Sequence, residues 1–241
     1  MAKRPPGNIA LLIDADNASH NGIDPVLTVL AELGSVNIRR AYANWRKQSL
    51  KGWADKLHTF GIEPQQQFDL TRGKNATDMK MTIDAIDLLY TGRVDGFGIM
   101  SSDSDFMPLA MRIRQNGVPV YGFGSAKTPE AFKSACTRFI DVDALIAAER
   151  NGAPEAKDDG DKPAKGAVDK ALLELLIDAY NASKRDERGF ASLSEVGNIA
   201  GNRSSFDTRN YGYKRLSDLV DAIDNFATER RDNMVFVKRV R

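Results

Sequence analysis

The chain has 241 residues, 42% of them hydrophobic, and its 34 Lys and Arg against 33 Asp and Glu leave a formal charge of +1. That is enough chain for one large domain or two modest ones; the near balance of charge argues neither for nor against an anionic partner, so any nucleic-acid site must be a local patch. The single cysteine, Cys136, excludes an intrachain disulfide and a cysteine-based zinc site, and the apolar run after the basic MAKRPPGN start falls far short of the roughly 20 residues of a membrane span, so a soluble cytoplasmic protein with no membrane partner is expected.

The run IALLI ends on Asp14 and Asp16, one residue apart, and PVLTVLAELG follows with helical spacing. SVNIRRAYA then pairs with LKGWADKLHTFG, IEPQQQF with TDMKMTIDAIDLLYTG, DGFGIMSS with DFMPLAMRIRQNG, and VPVYGFG with PEAFKSACTRF. Short apolar runs alternating with helical segments predict an α/β fold: a mainly parallel central sheet with helices on both faces, spanning residues 1–150. Residues 151–167 carry no large apolar side chain and cannot bury enough surface to order themselves, so they read as a flexible linker. Residues 168–241 read as three helices and a hairpin around Asp232 and Asn233, a small α+β domain of winged-helix outline.

In a parallel sheet, ligands sit outside the carboxyl ends of the strands, where this sequence places its acids: Asp14 and Asp16 after the first strand, Asp103 and Asp105 after DGFGIM, and Asp78 at the start of a helix. Two unit charges about 4 Å apart repel by roughly 1 kcal/mol in water and about 4 kcal/mol near a protein surface. A divalent cation with hard oxygen ligands, Mg²⁺ or Mn²⁺, turns that repulsion into ligation. Taken singly, Asp78 and Asp105 are as well explained as helix caps or first-turn acids; the repetition at two strand ends favours the metal reading. Further along the helix, Asp84 can face either way and Asp87 points to solvent.

After the second strand, RRAYANWRKQ supplies Arg39, Arg40, Trp45, Arg46 and Lys47, cations and an aromatic suited to a single-strand RNA track. Against this, Tyr42 can face the core and Trp45 can pack locally. Arg72 and Lys74, just before Asp78, are placed to hold a substrate backbone. GxxxxGK[ST] is absent, so no NTP loop is read, and GFGSAK reads as a strand-to-helix turn. His20 and His58 are the only histidines, and they offer no Ser-His-Asp or Cys-His set.

IDADN, KNATDMKMTIDAIDL and SSDSDFMPLAMRIRQNGVPVYGFG together resemble the NYN domain, a branch of the PIN-like metal-dependent nucleases, over about residues 7–147. The resemblance implies a Rossmann-like sheet and a metal cluster of Asp14, Asp78, Asp103 and Asp105 as the catalytic acids. Asp16 is a further ligand, Asn17 a polar neighbour, and Ser101 and Ser102 orient carboxylates or phosphate, Ser102 standing where Gly is commoner. The downstream LSEVGNIAG, YGYKRLSDLV and NMVFVKRV segments resemble the LOTUS, or OST-HTH, domain, which implies binding of RNA or a protein partner. Arg203, Arg209, Tyr213, Lys214 and Arg215 are the candidate contacts.

The expected function is a Mg²⁺- or Mn²⁺-dependent ribonuclease targeted by its C-terminal domain. A non-catalytic RNA-binding regulatory module is the alternative. LLIDADN also resembles the first motif of haloacid-dehalogenase phosphatases, but that family places Thr or Val where this chain has Asn17.

Overall fold

The computed structural model describes residues 7–68, 75–150, 169–232 and 234–240. Strands β1 (Gly7–Asp14), β2 (Gly34–Ala43), β3 (Glu63–Gln66), β4 (Gly96–Met100), β5 (Val120–Gly124) and β6 (Arg138–Asp141) form one parallel sheet in the order β3-β2-β1-β4-β5-β6. Between and after them run α1 (Ile23–Ala31), α2 (Lys51–Thr59), α3 (Ala76–Tyr90), α4 (Met107–Gln115), α5 (Glu130–Ala135) and α6 (Val142–Arg150).

The unbroken apolar run of β1 has a physical reason: both of its faces are covered. Ile9, Leu11 and Ile13 join Ile23 of α1, Trp53 of α2 and Val142 of α6 in one core, while Ala10 and Leu12 join Met81 of α3, Leu109 of α4 and Phe132 of α5 in the other. The chain builds β1, β2 and β3 outward in one direction and then places β4 on the opposite side of β1. The carboxyl ends of β1 and β4 therefore flank the point where strand order reverses, the customary ligand crevice of such sheets.

One element departs from the sequence reading. The segment expected as a helix through CTRF stops at Ala135, and Arg138–Asp141 is a sixth strand paired with β5. Phe139 fills one core and Ile140 the other, so this short segment takes its conformation from the sheet edge that receives it. Pro64 lies in β3, an edge strand, where its missing N–H is tolerated.

The chain divides into two compact units at Ala147 and Ala148. The second contains α7 (Lys170–Ala182), β7 (Ala191–Ser192), α8 (Leu193–Arg203), α9 (Leu216–Asp221), β8 (Phe226–Arg231) and β9 (Met234–Arg239), with the strands antiparallel in the order β7-β9-β8. Leu176, Tyr180, Val196, Leu219, Phe226 and Val237 share its core. Asp232 turns the hairpin with a φ of 46°, a conformation Asp tolerates. The expected linker and Asn233 lie outside the described residues. Among the described residues, no helix is long and apolar enough to cross a membrane.

Candidate metal centre

Asp14 is the last residue of β1 and fully buried. Ser101 Oγ, just past β4, donates to Asp14 Oδ2 over 2.8 Å, and Asn17 Nδ2 donates to the same oxygen over 2.9 Å. The other oxygen, Oδ1, is buried with no hydrogen-bond donor among the described residues. Burial pushes the Asp14 carboxyl above the usual carboxylate range, opposed by the bonds from Asn17 and Ser101 and reinforced by the negative charge of Asp16 and Asp103. A buried carboxylate oxygen without a partner is costly.

The segment leaving β4 is folded on its own side chains. Ser101 Oγ accepts from the Asp103 N–H at 3.0 Å, and Asp103 Oδ1 accepts from the Asp105 N–H at 2.9 Å, capping the 3-10 turn Ser104–Phe106. Asp105 is exposed and accepts from Asn75 Nδ2 at 2.7 Å. Ser102 Oγ accepts from the Ser125 N–H at 3.0 Å, tying the end of β4 to the end of β5. The closeness of these strand ends shows at Gly124, where a Cβ would lie 2.8 Å from the Ser101 carbonyl oxygen.

Asp78, in the first turn of α3, completes the group. Desolvation first, and then the negative charge of Asp14, Asp103, Asp105 and Asp16, pushes its carboxyl up to about 6. Asp16 is engaged differently: Lys47 Nζ lies 3.0 Å from Oδ1, and Thr77 Oγ1 donates to Oδ2 over 3.1 Å.

The charges of Asp14, Asp16, Asp103 and Asp105 all act on Asp78, yet among the described residues no three His, Cys, Asp or Glu side chains are spaced to hold one ion. Asp16 is drawn to Lys47 and Thr77, Asp103 accepts from the Asp105 N–H in its own cap, and Asp105 accepts from Asn75. Asp105 is exposed and Asp78 half-buried, so these two are the acids least confined by packing. The all-oxygen donors and the unpartnered buried Asp14 Oδ1 fit a hard divalent cation.

The basic segment expected after the second strand begins inside β2, and its residues divide between scaffold and edge. Arg39 donates to the Val36 and Phe60 carbonyls at 3.0 and 2.7 Å, and Arg40 pairs with Glu63 at 3.2 Å and Asp84 at 3.5 Å, both from within β2. Trp45 packs on the core and donates its indole N–H to the Gln65 carbonyl at 3.1 Å. Arg46 is exposed and stacks over Phe68 at 4.8 Å. Arg72 and Lys74 lie outside the described residues.

Sequence reasoning missed Thr77, Asn75 and Phe68. The first two were signalled by their place in NATD beside Asp78. It also missed the buried Asp84 network, in which Asp84 accepts from Tyr42 Oη at 3.1 Å and pairs with Lys80 at 2.7 Å. In the second unit, Arg209 pairs with the buried Asp207 at 3.0 Å and Arg203 with Asp178 at 3.1 Å. Tyr213 leans on the core, and Lys214 and Arg215 are exposed.

A family model for the NYN domain matches residues 8–145, and one for the OST-HTH/LOTUS domain matches residues 166–237. An uncharacterised protein of Methanocaldococcus jannaschii is 29% identical over 121 residues, 48% of this chain and 47% of that protein, so the chain spans about half the length of this curated relative. A protein of unknown function from Vibrio parahaemolyticus, known from its crystal structure, superposes with a TM-score of 0.51 and 22% identity over 60% of this chain and 98% of that one, a likeness of fold alone. With the NYN match covering more than half of its residues, the chain belongs to the NYN domain family and carries an OST-HTH/LOTUS domain after it.

Proposed function

We propose that this chain is a Mg²⁺- or Mn²⁺-dependent RNA endonuclease, its nuclease domain in residues 1–150 joined by a linker over 151–167 to an RNA- or protein-targeting domain in 168–241. The observation that carries this reading is Asp14, fully buried at the strand-order reversal, one oxygen fixed by Ser101 and Asn17 and the other unpartnered. Asp14, Asp78, Asp103 and Asp105 would hold the cation. When bound, it supplies charge neutralisation at the scissile phosphate and a lowered pKa for attacking water.

The remaining roles belong to the chain's own groups. Ser101 holds Asp14 at one end and the Asp103 backbone at the other, so a single hydroxyl sets the spacing of two acids. Asp78, its carboxyl pushed to about 6 in the metal-free protein, would serve the cation as an ionised carboxylate, so cation binding there releases a proton. Lys47 and Thr77 restrain Asp16, which acts as a tether between the β2 edge and α3. Arg46 and Phe68 offer a cation and an aromatic face to an RNA strand. Ser102 braces the β5 end, and Arg39, Arg40 and Trp45 shape the strand beneath.

The test is cleavage of labelled single-stranded and hairpin RNAs with Mn²⁺, Mg²⁺ or EDTA, by the wild type and Asp103→Asn. Cleavage that requires metal and is lost in the variant supports the nuclease; tight RNA binding with no cleavage under any metal condition makes the chain a non-catalytic RNA-binding module.

A further inference from the structure

Beside the acids, a groove of about 580 Å³ opens between α3 and the start of α4, within the roughly 300–1,000 Å³ range of ligand sites. Its walls are apolar: Met79 and Ile83 from α3, Met107 and Pro108 from α4. Met79 is 65% and Ile83 54% exposed, side chains of a kind that an isolated helix face would ordinarily bury. The hydroxyls of Thr82 and Ser104 and the amide of Asn75 supply the polar lining. Asp78 and Asp105 of the acidic cluster are also among its lining residues, so the groove adjoins the proposed reaction site.

Charge narrows the occupant. Among the described residues that line it there is no cation, and two of them are carboxylates, a lining that disfavours a phosphate or an acidic segment. Thioether and aliphatic walls with a few neutral polar groups suit a flat, uncharged, hydrogen-bonding ring, and methionine sulfur packs well against aromatic systems. Asn75 Nδ2 is turned to Asp105, which leaves its carbonyl oxygen able to accept from a base edge.

We infer that this groove is a nucleobase pocket that takes one unpaired base next to the scissile phosphate, making the substrate an RNA with a splayed nucleotide at the cut. A base stacked inside a duplex cannot enter it, whereas a loop, bulge or single strand presents one. The inference rests on the nuclease reading only for the position of the cut; base capture itself is independent of turnover.

The experiment uses the full chain in an Asp103→Asn background with Mn²⁺, and a 12-nucleotide single-stranded RNA in which one abasic nucleotide is walked through every position. Binding is read by fluorescence anisotropy with and without Ile83→Ser, a substitution at an exposed site. One abasic position should weaken binding by about tenfold, the scale of losing one stacked base, and that penalty should vanish with Ile83→Ser, which should itself weaken the intact RNA to the same degree. A flat scan, or a penalty untouched by Ile83→Ser, overturns the pocket. So does conversion of an RNA-free dimer to a monomer by Ile83→Ser in sedimentation, which would assign the groove to a second copy of the chain. Wild-type cleavage of the unmodified RNA is scored separately: cleavage with a flat scan overturns the pocket alone, and a positive scan without cleavage overturns the nuclease alone.

Discussion

Ser101 Oγ and Asp14 Oδ2 lie 2.8 Å apart although the residues are 87 positions apart in the chain. This bond joins the ends of β4 and β1 across the strand-order reversal, and the same hydroxyl accepts from the Asp103 N–H. Ser101→Ala removes a donor to a buried carboxylate and an acceptor for a loop N–H. It should destabilise the protein by about 2 kcal/mol in urea unfolding and lower the Mn²⁺-dependent cleavage rate, while Ser101→Thr should retain more of both.

Asp78 makes the metal-free protein sensitive to acid in an unusual direction. Its carboxyl sits at about 6 in the fold against an ordinary 3.8, so between those values the folded state holds a proton that the unfolded state has released. Its destabilising contribution is fully present above pH 6 and fades as pH falls toward 4. In EDTA, Tm should rise from pH 7.5 to pH 5.5, and the rise should shrink in Asp78→Asn, which should also be more stable than the wild type at pH 7.5. An equal rise in both proteins would place the titrating group elsewhere.

Asp14 and Asp16 should separate as ligand and tether. Metal that binds only the folded state raises stability by about 2.7 kcal/mol at a hundred times its Kd. The increase in Tm on adding Mn²⁺ should disappear in Asp14→Asn and persist in Asp16→Asn, because both Asp16 oxygens are engaged by Lys47 and Thr77. Loss of the increase in both variants would make Asp16 a ligand.

The Asp84 network should matter to stability and not to metal. Asp84 accepts from Tyr42 and pairs with Lys80 and Arg40, whose side chains are 38% and 29% exposed. Solvent screening of these partners tempers the penalty of breaking a buried pair. Asp84→Ala should therefore cost about 2 kcal/mol, and Tyr42→Phe about 1 kcal/mol, in urea unfolding, with the Mn²⁺-induced rise in Tm retained.

In the second unit, Lys214 and Arg215 are exposed whereas Arg209 is paired with buried Asp207. If the domain contacts RNA, alanine at Lys214 or Arg215 should reduce the slope of log affinity against log salt by roughly 0.7 per phosphate contact without changing Tm. Arg209→Ala should lower Tm. An unchanged salt slope at both positions points to a protein partner.

The local patterns of the sequence determined the βα alternation, the winged-helix outline and the acids at the strand ends, because burial on both faces of a strand and apolar spacing along a helix are written in neighbouring residues. The NATD and SSDSD strings also marked where the carboxylates would gather. Only the tertiary structure decided how those acids are used. Lys47 reaches Asp16 across 31 residues and Ser101 reaches Asp14 across 87, and such partners are set by strand order, not by sequence distance. The same holds for β6, whose four residues become a strand because β5 offers an open edge, and for Arg39, Arg40 and Trp45, whose composition suggested an RNA track until the fold gave their donors carbonyls and carboxylates of the protein itself.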